Sequence, residues 1–303
     1  MLRKRSRGTA FERAEARLFW PFVLPATLLY LIFFIGPAIA SVFISFHKWD
    51  GISTMEWVGI GNYTRLVQDE VFQRSFVNTL VLLIGGGLVV FVLSFALTMV
   101  LREMRGRKFV RQMLFFPNIV SAIVLAFFWG FIFQAGGLLE NALRAAGVDS
   151  VPQLLLTHPF AVIFAGIMWT SLGYYITILM AGVDRIPNYY YEAARLDGAS
   201  AWSQFVNVTL PLTWDVIATT ATLWTISSLK IFEFILTFGA AAGDLPNRDV
   251  WNTAMFIYGR TFGGLSPQLQ FGYASAAAVV TVVTVVVFVA LLRRLMRRDS
   301  LEF

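Results

Sequence analysis

The chain has 303 residues, of which 57% are hydrophobic and only 14% charged, against roughly a quarter charged in an ordinary soluble domain. It has no cysteine, which excludes disulfides, thiolate metal sites and cysteine nucleophiles, and its two histidines, His47 and His158, are too few for a histidine-built metal site. The net charge of +6 does not point to nucleic acid, because the basic residues form short clusters between long apolar runs rather than one soluble face; the composition is that of an all-α integral membrane protein.

A membrane-crossing helix needs about 20 apolar residues, and six candidate spans follow in chain order. Residues 1–17 form a basic tail, and the first span, 18–46, carries no charge. Its apolar run is too long for a cleaved signal peptide, whose apolar part has about 7 to 15 residues, so it is read as a retained helix that Pro37 can bend, while Pro21 and Pro25 sit at its entry. Spans over 76–101, 113–134 and 158–181 are also free of charge, a fifth over 216–240 contains Lys230 and Glu233, and a sixth covers 270–292 before the basic tail 293–303. The transmembrane domain is therefore expected over 18–292. Seventeen of the 24 Lys and Arg lie in the two tails and in the loops 102–111 and 184–215, and only six in the opposite loops. Positive charge gathers on cytoplasmic loops, so both termini are expected in the cytoplasm.

The loop 184–215, DRIPNYYYEAARLDGASAWSQFVNVTLPLTWD, is long and poor in positive charge for its side of the membrane. Asn188 is expected to cap a short helix through Leu196, because its side chain can accept from free first-turn amides. Asp197-Gly198 ends that helix, Gly198 being free to adopt the left-handed conformation of a C-terminal cap. A second short helix is expected from about Ala201, stopped by Pro211. Ala193 and Ala194 are small and flanked by Glu192 and Arg195, a surface that would let another protein's backbone come close. The local pattern alone leaves a plain surface connector equally open.

Glu192-Ala193-Ala194, Gly198 four positions on, and Val208 followed by Leu210-Pro211 resemble the EAA loop of binding-protein-dependent ABC importer permeases. Val208, where the family has Ile, is the one departure from that pattern. Four further segments resemble the carbohydrate-uptake branch, in particular the first permease subunit of maltose-type and glycerol-phosphate-type importers: Trp57-Val58-Gly59-Ile60-Gly61-Asn62-Tyr63, Phe115-Phe116-Pro117, Gly137-Leu138-Leu139-Glu140-Asn141 and Phe271-Gly272-Tyr273-Ala274-Ser275-Ala276. The branch commonly has a Thr-x-Gly-Gly-Pro turn where this chain has Thr237-Phe238-Gly239-Ala240-Ala241-Ala242-Gly243, which leaves the solute open.

The resemblance implies a type I ABC importer permease fold with six transmembrane helices and a cytoplasmic coupling helix, in a prokaryotic plasma membrane. It implies a second, homologous permease subunit in a heterodimer, two cytoplasmic ATPase subunits, and an extracytoplasmic solute-binding protein. Glu192, Ala193, Ala194, Gly198, Val208, Leu210 and Pro211 would couple to the ATPase, with Glu192 meeting a basic groove. The chain has no Gly-x-x-x-x-Gly-Lys-Ser/Thr loop, so ATP and Mg are expected on the partner ATPase, and no cofactor, metal or catalytic residue on this chain. Lipid surrounds it and nucleic acid has no part.

Sugars are held by aromatic faces and hydrogen-bonding groups, which Trp169, Tyr174, Tyr175 and Trp224 offer within the fourth and fifth spans; each could equally pack between helices. Asn78, in the second span, could bond a neighbouring helix. Lys230 and Glu233, three apart on one helical face, form either a solute-contacting pair or an internal salt bridge. Rival readings are an importer permease for another solute class and an ion-driven secondary transporter, which would show internal repeats and a pathway carboxylate.

Overall fold

A computed structural model describes residues 10–148, 151–229, 231–239, 245–264 and 267–297. The first helix, α1 (Ala10–Tyr30), runs through Pro21 and Pro25 and widens into a π turn, Leu31–Ile35, before α2 (Gly36–Ile44). Pro37 has no N–H and its ring would crowd the carbonyl of Phe33; the wider turn ahead of it accommodates both defects without ending the helix. None of the apolar stretch Phe19–Ile44 is buried within this chain, and α1–α2 lies at the edge of the bundle.

A hairpin follows, β1 (His47–Lys48) against β2 (Glu56–Trp57), with His47 opposite Trp57. In its turn, the amides of Ser53 and Ile52 donate to the Asp50 carboxylate and hold its pKa down at about 2. The next helix is α3 (Gly61–Gln68). Within it the buried Asn62 donates to the carbonyls of Ser45 (2.8 Å) and His47 (2.9 Å), and the Tyr63 hydroxyl lies 2.7 Å from Ser45 Oγ. The Val-Gly-x-x-Asn-Tyr segment therefore fastens the hairpin to the end of α2.

Two helices, α4 (Glu70–Leu80) and α5 (Gly87–Glu103), are joined by a π turn, Val81–Gly86, into one rod. The third span is interrupted: α6 (Arg107–Phe115) ends in a 3-10 turn, Phe116–Asn118, and α7 (Ala122–Phe133) starts only after Ser121. The short helices α8 (Leu138–Ala145) and α9 (Leu154–Thr157) lead into α10 (Pro159–Val183). The predicted coupling loop contains α11 (Asn188–Leu196), α12 (Ala201–Gln204), a π turn Phe205–Thr209 and α13 (Leu210–Leu212). After it come α14 (Trp214–Ser228), α15 (Glu233–Gly239), α16 (Thr253–Thr261) and α17 (Phe271–Leu295).

Among the described residues, five stretches are long and apolar enough to cross a bilayer: Phe19–Ile44, Glu70–Arg102, Ala122–Ala145, Pro159–Val183 and Phe271–Leu295. The span expected over 216–240 is not one helix, because α14 stops at Ser228 and α15 begins at Glu233. Between them the carbonyl of Ile231 is satisfied from outside the helical ladder by the side-chain amide of the buried Asn252, whose own oxygen caps α16 through Met255 N (2.9 Å).

The core forms around α10, which packs on α5, α6 and α14 and buries Ile163, Ile167, Met168 and Ile176. Glycines set these approaches. A Cβ on Gly173 would lie 2.0 Å from the carbonyl of Leu114, so only glycine lets α10 meet α6 there. At the hairpin end, α4, α16 and α17 pack around Phe72, Phe256 and Tyr273. Asp69, which caps α4, also accepts from Arg260 (2.6 Å) and the Tyr273 hydroxyl (2.8 Å), so one carboxylate closes three helices together.

Candidate coupling loop and solute cavity

The helix α11 starts from Pro187, not from a side-chain cap: Asn188 is its first residue and its oxygen instead accepts from Arg102 (3.3 Å). Proline preceding the helix fixes the backbone entry that a capping side chain would otherwise stabilise. The other end follows the expectation. Gly198 has φ +75°, its amide donates to Arg195 O (3.0 Å) and the Ala199 amide to Ala194 O (2.9 Å), the paired bonds of a Schellman cap. Ser200 then caps α12 through Ser203 N (3.2 Å). Pro211 does not stop the second arm. As at Pro37, a π turn precedes the proline, and the arm runs on to Leu212 before α14 begins.

Glu192, Ala193 and Gly198 are exposed on the outer face of α11, with Ala194 half-buried beneath them. Apolar groups share this surface: Leu196 is 90% exposed, Trp202 73% and Tyr189 58%. The Tyr189 phenol is held above its ordinary pKa by its hydrogen bond with Tyr190, on which it stacks. Val208, Leu210 and Pro211 are half-buried on the returning arm. Beneath the helix, Tyr191 is buried and its hydroxyl lies 3.0 Å from Thr209 Oγ1, joining the two arms. A small-residue helix with an acidic group and exposed large apolar side chains, clamped from behind, has the composition of a protein-contact surface.

At the middle of the bundle, a cavity of about 420 Å³ opens where the two interrupted helices face each other. Pro117, Asn118 and Ala122 line it from the break before α7, Ile231, Phe232 and Glu233 from the break before α15, and Thr170 and Ser171 from halfway along α10. Asn118 donates to Thr170 O (2.7 Å), while the hydroxyls of Thr170 and Ser171 turn back to Ile167 O (2.9 and 2.7 Å). Non-helical backbone at this depth is tolerated where it lines a cavity, and the site offers amide, hydroxyl and carboxylate groups around an apolar floor. A larger cavity, about 590 Å³, lies at the hairpin end between Trp49, Arg65, Gln270 and Tyr273.

Of the predicted pathway residues, Glu233 lines the mid-bundle cavity. Tyr174 lies one turn beyond Thr170, with its ring edge-on to Tyr175 (5.1 Å between centroids), and Trp169 stacks on Trp129 (5.4 Å). Both are over a third exposed. Tyr175 and Trp224 are instead buried between helices. Trp224 donates to Leu83 O (2.8 Å) in the α4–α5 π turn, and a Cβ on Gly86 or Gly87 would lie within 2.9 Å of the indole. Lys230, and the divergent turn from Ala240 to Gly243, lie outside the described residues. Asn78 bonds Asp249 O (2.8 Å) and Trp251 O (2.9 Å), a structural role at the hairpin end. Sequence reasoning missed Asn118, Thr170 and Ser171; the breaker pair Pro117-Asn118 was the available signal.

The model of the family described as "Binding-protein-dependent transport system inner membrane component" matches residues 96–299, from the end of α5 through the coupling loop to the last helix. A lactose transport system permease protein, LacF, of Rhizobium radiobacter is 29% identical over 86% of this chain and 88% of its own. A trehalose/maltose transport system permease protein, MalF, of Thermococcus litoralis is 30% identical over 94% of this chain and 96% of its own. The fold matches a chain in the crystal structure of a bacterial alginate ABC transporter in complex with an alginate pentasaccharide-bound periplasmic protein, with TM-score 0.75 and 23% identity over 95% of this chain and 97% of that one. This chain belongs to the binding-protein-dependent transport system inner membrane component family, as a multi-pass permease subunit of an ABC importer rather than an enzyme.

Proposed function

We propose that the chain forms half of the translocation pathway of an ATP-driven sugar importer and that the solute passes through the cavity between the two helix breaks. The observation that carries this reading is the cavity itself: polar groups on three helices converge halfway along α10, in a chain whose relatives are named for lactose and trehalose/maltose transport. Asn118, Thr170, Ser171 and Glu233 supply hydrogen bonds to solute hydroxyls, and Trp169 and Tyr174 flank the path. Lys230, three positions before Glu233, balances its charge. Tyr175 and Trp224 serve packing.

The second half of the pathway comes from a homologous permease in a heterodimer. Six spans are completed by α14 and α15 acting together as one interrupted crossing, so both termini share one side, and the positive charge of the tails supports the cytoplasm as that side. The chain then sits in a prokaryotic plasma membrane with α11 on the cytoplasmic side. There α11 docks on an ATPase subunit, Glu192 meeting a basic groove and Ala193 and Ala194 allowing close approach, while Gly198 sets the turn and Val208, Leu210 and Pro211 carry the chain back. ATP and Mg are held by the two ATPase subunits, and an external binding protein delivers the sugar. ATP-driven closure of the ATPases moves α11 and opens the cavity outward.

The test is uptake into proteoliposomes that contain both permeases and the ATPase, supplied with the binding protein. Labelled maltose, trehalose and lactose are compared with histidine as a solute of another class. ATP-dependent uptake of a sugar and not of histidine is expected. Uptake of histidine alone, or sugar uptake driven by a proton or sodium gradient without ATP, would overturn the reading.

A further inference from the structure

The coupling loop is joined by the chain to α10 and α14, yet side chains also anchor it to a third helix, α5, 86 residues away in sequence. Arg102, in the last turn of α5, holds its guanidinium carbon 3.4 Å from the centre of the Tyr191 ring and donates to Asn188 Oδ1 at 3.3 Å. Tyr191 is 2% exposed and in turn reaches the fully buried Thr209 on the other arm. Two turns back along α5, Phe95 packs edge-on against Phe205, in the same arm as Thr209 (5.5 Å between centroids). One helix thus grips both arms of the loop.

That helix is also part of a long continuous element. With α4 and the π turn it makes a continuous stretch of 33 residues, Glu70–Arg102, about 50 Å of helix. Trp224 braces its middle, and Asp69 ties its far end to Arg260 and Tyr273. A stiff rod held at one end by the loop and at the other by the hairpin-end helices transmits displacement, where a flexible connector would absorb it. Arginine suits the junction, because its planar guanidinium stacks on a ring and donates in its own plane at once, which a lysine ammonium does not do.

We propose that Arg102 and Tyr191 are positioning residues of the transport cycle, a clamp through which movement of α11 is passed to the α4–α5 rod. This rests on the coupling role proposed above for α11. The test uses the assembled transporter, with both permeases, ATPase and binding protein, in proteoliposomes. It measures ATP hydrolysed per molecule of whichever sugar of the panel the wild type carries, at equal recovered complex. Arg102→Lys keeps the charge and loses the stack, and is expected to raise ATP spent per sugar about tenfold; Tyr191→Phe keeps the ring and frees Thr209, and is expected to raise it about threefold. The double variant is expected to be no worse than Arg102→Lys alone, as for residues in one unit. A wild-type ratio in Arg102→Lys would overturn the clamp, as would loss of assembled complex with an unchanged ratio, the mark of a merely structural residue. A wild type that recovers no ATPase would overturn the coupling role of α11 itself, and the clamp with it.

Discussion

The helices of this chain are irregular in two ways, and the difference separates structure from function. Among the described residues, three π turns, Leu31–Ile35, Val81–Gly86 and Phe205–Thr209, keep their helices continuous. Two of them absorb a following proline, and the third is filled from the side by the indole of Trp224, which donates to the carbonyl of Leu83. The breaks at Phe116–Ser121 and at Ile231–Phe232 are different. They stay open toward each other, and the space between them is lined by Asn118, Thr170, Ser171 and Glu233. A defect closed by packing stabilises the bundle, whereas a defect left open in lipid surroundings retains polar groups that a solute can use.

The comparison can be broken most severely at the filled turn. Trp224→Ala removes a buried indole and its hydrogen bond, and should cost about 3–5 kcal/mol; Trp224→Phe loses chiefly the bond, about 1 kcal/mol. Thermal melting of the detergent-purified protein checks both, and sugar selectivity of whatever folds should be unchanged. At the open breaks the pattern reverses. Glu233→Gln and Asn118→Ala should leave melting near the wild type but weaken the apparent affinity for sugar about tenfold, roughly 1.4 kcal/mol of lost interaction, read as the concentration dependence of uptake. The smallest effect is expected at Gly198→Ala. No side chain stands near its Cβ position, so the cost is only the left-handed backbone, about 1 kcal/mol; co-purification should show ATPase capture weakened severalfold with the permease intact.

The continuous spans were legible because length and charge decide them: an uncharged run such as 158–181 has few alternatives to a buried helix, and α10 covers it. The Schellman cap at Gly198 was legible because Asp-Gly after a helical run has a local meaning. The breaks were not, since periodicity cannot distinguish an apolar helix from an apolar helix cut in two, and the break before α15 is held by Asn252, distant in sequence. Pro211 misled for a related reason: a π turn, invisible to local propensity, carries the helix past it. Aromatic residues of the fourth and fifth spans looked alike as sugar-binding faces, yet only the three-dimensional packing separates the buried Tyr175 and Trp224 from Trp169 and Tyr174. In sequence, Arg102 is one more positive charge near a membrane end and its partner Tyr191 one more loop residue, and only the fold brings them together.

The central claim is that the cavity between the breaks receives the solute, and the absence of cysteine makes it directly testable. Ser171→Cys is placed in the assembled transporter and its rate of maleimide labelling measured with ATP and binding protein, with and without the transported sugar. The account predicts that the thiol labels in the absence of sugar and is protected several-fold when sugar is delivered, while a cysteine in place of the exposed Trp202, outside the cavity, is not protected by sugar. Equal labelling of Ser171→Cys with and without a sugar that the transporter demonstrably imports would contradict it.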